Sequence, residues 1–123
     1  MSVPVDLHAL QERVAEYGPA AFLVTVNDDG TAHVVSVAIR HEHDRLFAAA
    51  GRSTRANLGR NPALTLLWPA PPGAAYSMLV DATASSVPAD DQPFAIEPRS
   101  AILHRVADAT VAGPSCLPLD AAT

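Results

Sequence analysis

The sequence predicts a mainly β domain in which six antiparallel strands close into a small barrel. Three observations support this fold class. Short apolar segments rich in β-branched residues recur along the chain and are separated by turn residues. Successive strands are joined by hairpins without long crossovers, which is typical of antiparallel sheets. The pattern predicts two helices, one at the N-terminus and a short one between the third and fourth strands.

The N-terminal helix is predicted at residues 6–17. Its apolar side chains recur at three- and four-residue spacing, which places them on one stripe, and Gly18-Pro19 ends the helix. Strands are expected at residues 20–27, 31–40, 45–50, 63–68, 75–87 and 94–104. We expect one domain at residues 1–106 and a proline-rich C-terminal tail at residues 107–123.

The second and third strands offer surfaces that a planar ring or another backbone could approach closely. Alternate side chains of a strand face opposite sides of the sheet. One face of the second strand carries His33, Val35 and Val37, and the other carries Val34, Ser36 and Ala38. Because the latter face is small and mildly polar, a flat ring or another backbone could lie against it. The third strand ends in three alanines, which also permit a close approach.

The segment from Gly51 to Pro62 carries the densest positive charge of the chain, with three arginines at positions 52, 55 and 60. Ser53 is expected to cap a helix over Thr54–Leu58, and Gly59 is expected to end it. A helix start gathers unpaired amides and the positive end of the dipole, so this segment suits a phosphate group. A short basic connector without a ligand remains the alternative.

Composition restricts the classes of function. The chain has 123 residues, a net charge of −5 and no lysine, so every fixed positive charge belongs to one of eight arginines. An acidic chain of this kind argues against general nucleic-acid binding. No signal peptide and no membrane-spanning run is visible, and the default expectation is a cytoplasmic protein. The single cysteine, Cys116, is interpreted as a spare thiol.

Other polar residues give weaker indications. His41 and His43 lie in a polar turn predicted at residues 41–44, which we interpret as a solvated hairpin tip rather than a metal site. His33 and His104 could donate protons, but we interpret each of them as a structural or surface residue. Asp81 interrupts an apolar strand and is expected to face water or an arginine. No nucleophile–base constellation is visible, so the catalytic residues stay unassigned.

The ordered set of these segments resembles the pyridoxamine 5′-phosphate oxidase-like superfamily, the FMN- and F420-binding split β-barrel proteins. The resemblance is carried by residues 21–26, 29–31, 34–39, 51–58, 61–68 and 95–99. It implies a six-stranded split β-barrel, and a homodimer with the cofactor site at the subunit interface. A true pyridoxamine 5′-phosphate oxidase has a longer chain with a basic, aromatic C-terminal segment. The tail of this chain lacks those features, so vitamin B6 oxidation is not expected.

The resemblance also implies a set of cofactor-binding residues. The short helix would hold the cofactor phosphate and the second and third strands would hold the ring, while side chains such as Trp68 or Tyr76 of the other copy would close the site. The implied cofactor-binding residues are Val35, Ser36, Val37, Ala38, Ala50, Gly51, Arg52, Ser53, Thr54, Arg55, Asn57 and Trp68.

The leading hypothesis is an FMN-binding oxidoreductase that acts on a small molecule, since the cofactor would then carry the redox chemistry. Two alternatives use the same pocket. One is an F420-dependent reductase, which shares the phosphate end of the cofactor but has a longer, polyanionic tail. The other is a non-catalytic dimeric module that stores or senses a flavin or haem. The small number of arginines favours FMN over F420.

Overall fold

The structure is a computed structural model that describes residues 6–43, 45–86 and 92–105, together with the backbone of residues 116–118. A 3-10 turn at Leu7–Ala9 leads into the first helix, α1 (Leu10–Tyr17), and the second helix is α2 (Arg52–Arg60). The strands are β1 (Ala20–Val26), β2 (Ala32–Ala38), β3 (Arg40–Glu42), β4 (Arg45–Ala48), β5 (Ala63–Trp68), β6 (Ser77–Ala84), β7 (Phe94–His104) and β8 (Cys116–Pro118).

All strands pair antiparallel in one sheet with the order β2-β1-β5-β6-β7-β4-β3, and β8 adds to β7. The two end strands, β2 and β3, are separated in the chain by Ile39 alone. The sheet must therefore curl until its two ends lie close together. This curled antiparallel sheet with an N-terminal helix confirms the predicted fold class, although seven strands follow one another through the sheet instead of six.

The extra strand arises where a polar turn had been expected. The amide of Ile39 donates to the carbonyl of Pro19 at 2.6 Å, and its side chain is buried. This contact separates β2 from β3, which then pairs with β4, and Arg40 lies over the Phe47 ring at 5.2 Å. The predicted turn over residues 41–44 is therefore shorter than expected, because His41 and Glu42 belong to β3. His43, with a φ of 47°, lies where the chain reverses.

The core fills the inside of the curl, where alternate side chains of each strand meet. Trp68 is fully buried there, and its Nε1 donates to the carbonyl of Gly18 at 2.9 Å. α1 adds Leu10 and Val14 to the same cluster, as the helical stripe predicted. The Tyr17 hydroxyl donates to the carbonyl of Tyr76 at 2.9 Å, and burial raises the pKa of this phenol.

Parts of the predicted organisation lie outside the described residues. These are most of the tail at 107–123 and most of the turn predicted at residues 88–93. Within the tail, the backbone of β8 pairs with residues 102–104 of β7. Among the described residues, no helix has the length and apolar character needed to cross a membrane.

Candidate functional site

The basic segment forms α2, but it begins and ends differently from the prediction. Gly51 is the N-cap residue, with an extended backbone (φ −76°, ψ 179°), and its carbonyl accepts from the amide of Arg55 at 3.0 Å. The prediction that Ser53 caps the helix was wrong, because Ser53 already lies in the first turn. Gly59 lies inside the helix, and Asn61 is its C-cap. The helix thus runs about one turn longer than expected.

The start of α2 is chemically open. In the part of the chain that the structure describes, no side chain caps this end. The first amides of a helix have no intrahelical acceptor, and the helix dipole adds a partial positive charge at the same place. An oxyanion seated there would accept hydrogen bonds from these amides.

A hollow of about 320 Å³ lies between this helix start and β2, and we call it the anion hollow. One wall is β2, and the other is the end of the β4–α2 connection. Its lining residues are His33, Val35, Ser36, Val37, Ala49, Ala50, Gly51, Arg52, Ser53 and Thr54. Most of the residues implied by the resemblance therefore come together in one place. Apart from His33, the lining residues of β2 and of the β4–α2 connection are apolar or small, and Arg52 brings positive charge to the helix end.

Four of the implied residues lie elsewhere. Ala38 is exposed at the end of β2, outside the lining of the anion hollow. Arg55 is half-buried on α2 and also outside that lining. Trp68 is 0% exposed in the core of its own chain. Asn57 is buried, 3% exposed, on the side of α2 that faces β1.

Asn57 fastens α2 to the β1–β2 hairpin. Its Nδ2 donates to Thr25 Oγ1 and to Asn27 Oδ1, both at 3.0 Å. Its Oδ1 accepts from Arg60 Nη2 at 2.6 Å. These contacts use both ends of the amide, so Asn57 positions the helix whose first turn lines the anion hollow.

His33 belongs to the anion hollow although it was not among the implied cofactor-binding residues. It lies on β2 directly opposite Thr25 of β1. The alternation of β2 had already placed His33 on the same face as Val35 and Val37, and this was the signal that could have found it. Of the opposite face, which had suggested a flat ring, only Ser36 lines the anion hollow.

A second hollow of about 450 Å³ adjoins the first, and we call it the tip hollow. Its lining residues are Asn27, Asp28, Asp29, Ser53, Ala56, Asn57 and Arg60. The hydroxyl and the amide of Thr31 both donate to the Asp29 carboxylate, and these bonds lower the pKa of that carboxyl. Arg60 Nε lies 3.5 Å from Asp28 Oδ1. This hollow is therefore lined by two carboxylates and one guanidinium.

The remaining polar residues lie apart from both hollows. His41 is on β3, and His104 is exposed at the end of β7. Asp81 is exposed and accepts from Thr65 Oγ1 at 2.7 Å, so its place in an apolar strand reflects the outward face of β6. Among the described residues, no group of three or more His, Cys, Asp or Glu side chains is arranged to hold a metal ion.

Two mycobacterial proteins are similar to this chain over most of their length. It is 35% identical over 129 aligned residues to uncharacterized protein Mb0449c of Mycobacterium bovis, with 92% of this chain and 90% of that protein covered. The same figures hold for uncharacterized protein MT0457 of Mycobacterium tuberculosis. No family model matches the sequence.

Solved structures share the fold at low sequence identity. An F420 reductase has a TM-score of 0.59 and 18% identity, with 69% of this chain and 90% of the reductase covered. A candidate pyridoxamine 5′-phosphate oxidase of Listeria innocua has a TM-score of 0.60 and 16% identity, with 78% and 96% covered. The haem storage protein HutZ of Vibrio cholerae has a TM-score of 0.53 and 17% identity, with 74% and 89% covered.

Proposed function

We propose a function from two premises: this chain belongs to the family of the mycobacterial proteins Mb0449c and MT0457, and it has the split β-barrel fold of the pyridoxamine 5′-phosphate oxidase-like proteins. The proposed function is that of an oxidoreductase that binds FMN in the anion hollow and acts on a small-molecule substrate. The observation that carries the proposal is the meeting of an uncapped helix start with Arg52 and Ser53 in one hollow.

The residues present suit the phosphate of FMN. The open amides at the start of α2 donate to an anion without having to leave another acceptor. The guanidinium of Arg52 matches phosphate oxygens with two parallel donors, and the Ser53 hydroxyl adds a further donor. Together these groups form a seat for a terminal phosphate.

The strand walls suit the ring system. Val35 and Val37 of β2 face Ala49 and Ala50 across the anion hollow, so an aromatic ring would meet small and apolar surfaces. A volume of about 320 Å³ lies at the lower end of the usual range for small-molecule pockets, about 300–1,000 Å³. When bound, FMN supplies the electron-transfer chemistry. The chain itself would bind the phosphate and orient the ring.

We further propose that the protein is a homodimer and that the second copy covers the open side of the anion hollow. The outer face of β1 and β2 supports the dimer, because Phe22, Val26 and Val34 expose 37%, 42% and 54% of their surface. Cross-strand pairing of Val24 with Val34 places these side chains on one face. Such a cluster of exposed apolar side chains is typical of a protein–protein interface.

F420 is the second candidate cofactor, because one fold neighbour is an F420 reductase. A haem- or flavin-binding module without catalysis is a third possibility, since another neighbour is a haem storage protein. Titration of the purified protein with FMN, F420 and haem separates the cofactors. Turnover assays with reduced nicotinamide or reduced F420 then separate an enzyme from a module, because a filled hollow without turnover would identify the module.

The decisive test of the site is Arg52→Ala. We expect the FMN dissociation constant to rise about tenfold or more, because a charge-assisted hydrogen bond to the phosphate is lost. FMN fluorescence quenching measures the affinity. Arg45→Ala is the matched control, since Arg45 is exposed on β4 outside the hollow, and it should change the affinity less than twofold. Equal FMN affinity in Arg52→Ala and the unmodified protein would overturn the proposed site.

A further inference from the structure

We propose that Asp28 and Asp29, at the tip of the β1–β2 hairpin, determine which cofactor this protein prefers. It would bind a cofactor that ends in a phosphate, such as FMN, more tightly than a cofactor such as F420, whose phosphate carries a further anionic chain. The inference rests on the proposed function, because it assumes a cofactor phosphate at the start of α2. The hairpin tip would thus determine cofactor specificity, and the property that it detects is negative charge on the ligand beyond the phosphate.

The first step is that the two hollows are neighbours at Ser53. Ser53 lines both the anion hollow and the tip hollow. A phosphate seated at the start of α2 therefore lies beside the entrance to the tip hollow. A ligand that ends at this phosphate stays within the anion hollow, whereas a substituent that continues past Ser53 enters the tip hollow.

The second step is the charge that such a substituent would meet. The side chain of Asp28 is 89% exposed. Asp29 is held in its ionised form by the two hydrogen bonds from Thr31. Both carboxylates border the space that an extended ligand would enter. Carboxylates or phosphates on the ligand would be repelled there.

The third step is that the cation of the tip hollow already has partners. Arg60 donates from Nη2 to Asn57 Oδ1 at 2.6 Å, and its Nε lies 3.5 Å from Asp28 Oδ1. A ligand carboxylate would have to compete with Asp28 for this guanidinium. The tip hollow thus opposes a polyanionic tail, while the anion hollow with Arg52 attracts a single phosphate.

The test compares FMN with F420 molecules that carry short and long γ-glutamyl tails. Dissociation constants are measured at low and at high salt for the unmodified protein and for Asp28→Asn, which removes the charge and retains a residue suited to turns. Glu12→Gln is the control, since it removes one exposed carboxylate from α1, away from both hollows. The second variant combines Asp28→Asn with Asp29→Asn. It should keep the turn intact, because the side-chain oxygen of an asparagine at position 29 can still accept from Thr31.

For the unmodified protein at low salt, we expect a longer tail to give a lower affinity for F420. At high salt the difference in affinity between short and long tails should be smaller, because salt screens the repulsion. Asp28→Asn should improve the affinity for the long-tailed form roughly threefold and the double variant further, since each step removes one repulsive charge. The FMN dissociation constant should stay within about twofold in both, because its phosphate does not enter the tip hollow. Glu12→Gln should leave the tail dependence unchanged.

Two kinds of failure are distinguishable. If FMN binds through Arg52 but long and short tails bind equally well, or if both Asp variants leave the tail dependence unchanged, the selectivity is overturned and the proposed function stands. If long-tailed F420 binds to neither variant more tightly than to the unmodified protein, the role of the two carboxylates is likewise refuted. If FMN does not bind, or if Arg52→Ala leaves its affinity unchanged, both proposals fail together.

Discussion

Asn57 shows how one buried amide can join a candidate site to its scaffold. Asn57 is 3% exposed, and its bonds to Thr25 and Asn27 connect α2 with the hairpin, while its bond with Arg60 stays within α2. The resemblance implied that this residue contacts the cofactor. The structure instead assigns its hydrogen-bonding groups to neighbouring residues, so we expect its contribution to be mainly one of stability.

Asn57→Ala should therefore lower the free energy of unfolding by about 1–3 kcal/mol, because it leaves the buried partners of the amide unsatisfied. Urea denaturation measures this loss. Asn61→Ala is the control, since Asn61 is exposed and its Oδ1 only accepts from the amide of Ala63. A large loss of FMN affinity in Asn57→Ala without loss of stability would show instead that Asn57 touches the ligand.

The sequence could predict residues only where their surroundings are local. Helix-start chemistry predicted that residues 51–54 line the anion hollow, whereas Val35 and Val37 came from the family resemblance, because strand alternation had favoured the opposite face of β2. Arg55 was included with Arg52 because both lie in one basic turn. The direction of each side chain depends on how α2 docks on β1, and this is set by Asn57 through contacts about 30 residues away in the chain.

At the level of elements, the start of α2 bears both on the stability of the helix and on the proposed binding of a phosphate. Gly51 is its N-cap and also lines the anion hollow. A Cβ at this position would meet no atom within 4 Å, and its φ of −76° suits any residue. A capping side chain is therefore sterically possible here, and its absence leaves the helix amides open to a ligand.

Gly51→Asp should consequently move stability and affinity in opposite directions. The carboxylate would accept from the first-turn amides and interact well with the helix dipole, so Tm should rise by about 1–4 °C. It would also occupy those donors and repel a phosphate, so the FMN dissociation constant should rise at least about tenfold. Thermal denaturation and FMN titration test the pair of effects.

Gly51→Ala is the control for Gly51→Asp, because it adds the Cβ without a capping oxygen. We expect it to change FMN affinity far less than Gly51→Asp does. If Gly51→Asp binds FMN as tightly as the unmodified protein does, then the start of α2 is not the phosphate seat.

Strong periodic segments were predicted well, and weak ones were not. β1, β5 and α1 carry clear apolar patterns, and the structure confirms them within a residue or a turn. β3 consists of Arg40, His41 and Glu42, whose polarity indicates a turn. It becomes a strand because its backbone pairs with β4, and it is set apart from β2 by Ile39, whose amide donates to Pro19, a tertiary contact that no local pattern reports. β8 was missed for a similar reason, since it pairs with β7 from a proline-rich tail.

At the scale of the whole molecule, the outer face of β1 and β2 exposes a group of large apolar side chains to solvent in the single chain. β2 is an end strand of the sheet, and its residues are exposed or half-buried along its full length. The same strand supplies one wall of the anion hollow through Val35 and Val37. Val35 and Val37 lie on the opposite face of β2 from Val34. A second copy packed on the outer face would therefore bury the apolar residues, and it would reach the ligand around the β2 edge, where Ser36 of the outer face lines the anion hollow.

Val34→Glu tests this arrangement, because Val34 is 54% exposed on the outer face and lies outside the lining of both hollows. We expect the unmodified protein to have a mass in solution near twice its chain mass of 12.8 kDa. Val34→Glu should shift the mass in solution toward 12.8 kDa, because dimerisation would then bury a charge in the interface. Light scattering after size-exclusion chromatography measures the mass. Leu7→Glu, which alters another exposed apolar residue beside α1, should leave it unchanged. FMN affinity should fall along with dimerisation if the second copy completes the site, whereas a monomeric unmodified protein with full FMN affinity would exclude a shared site.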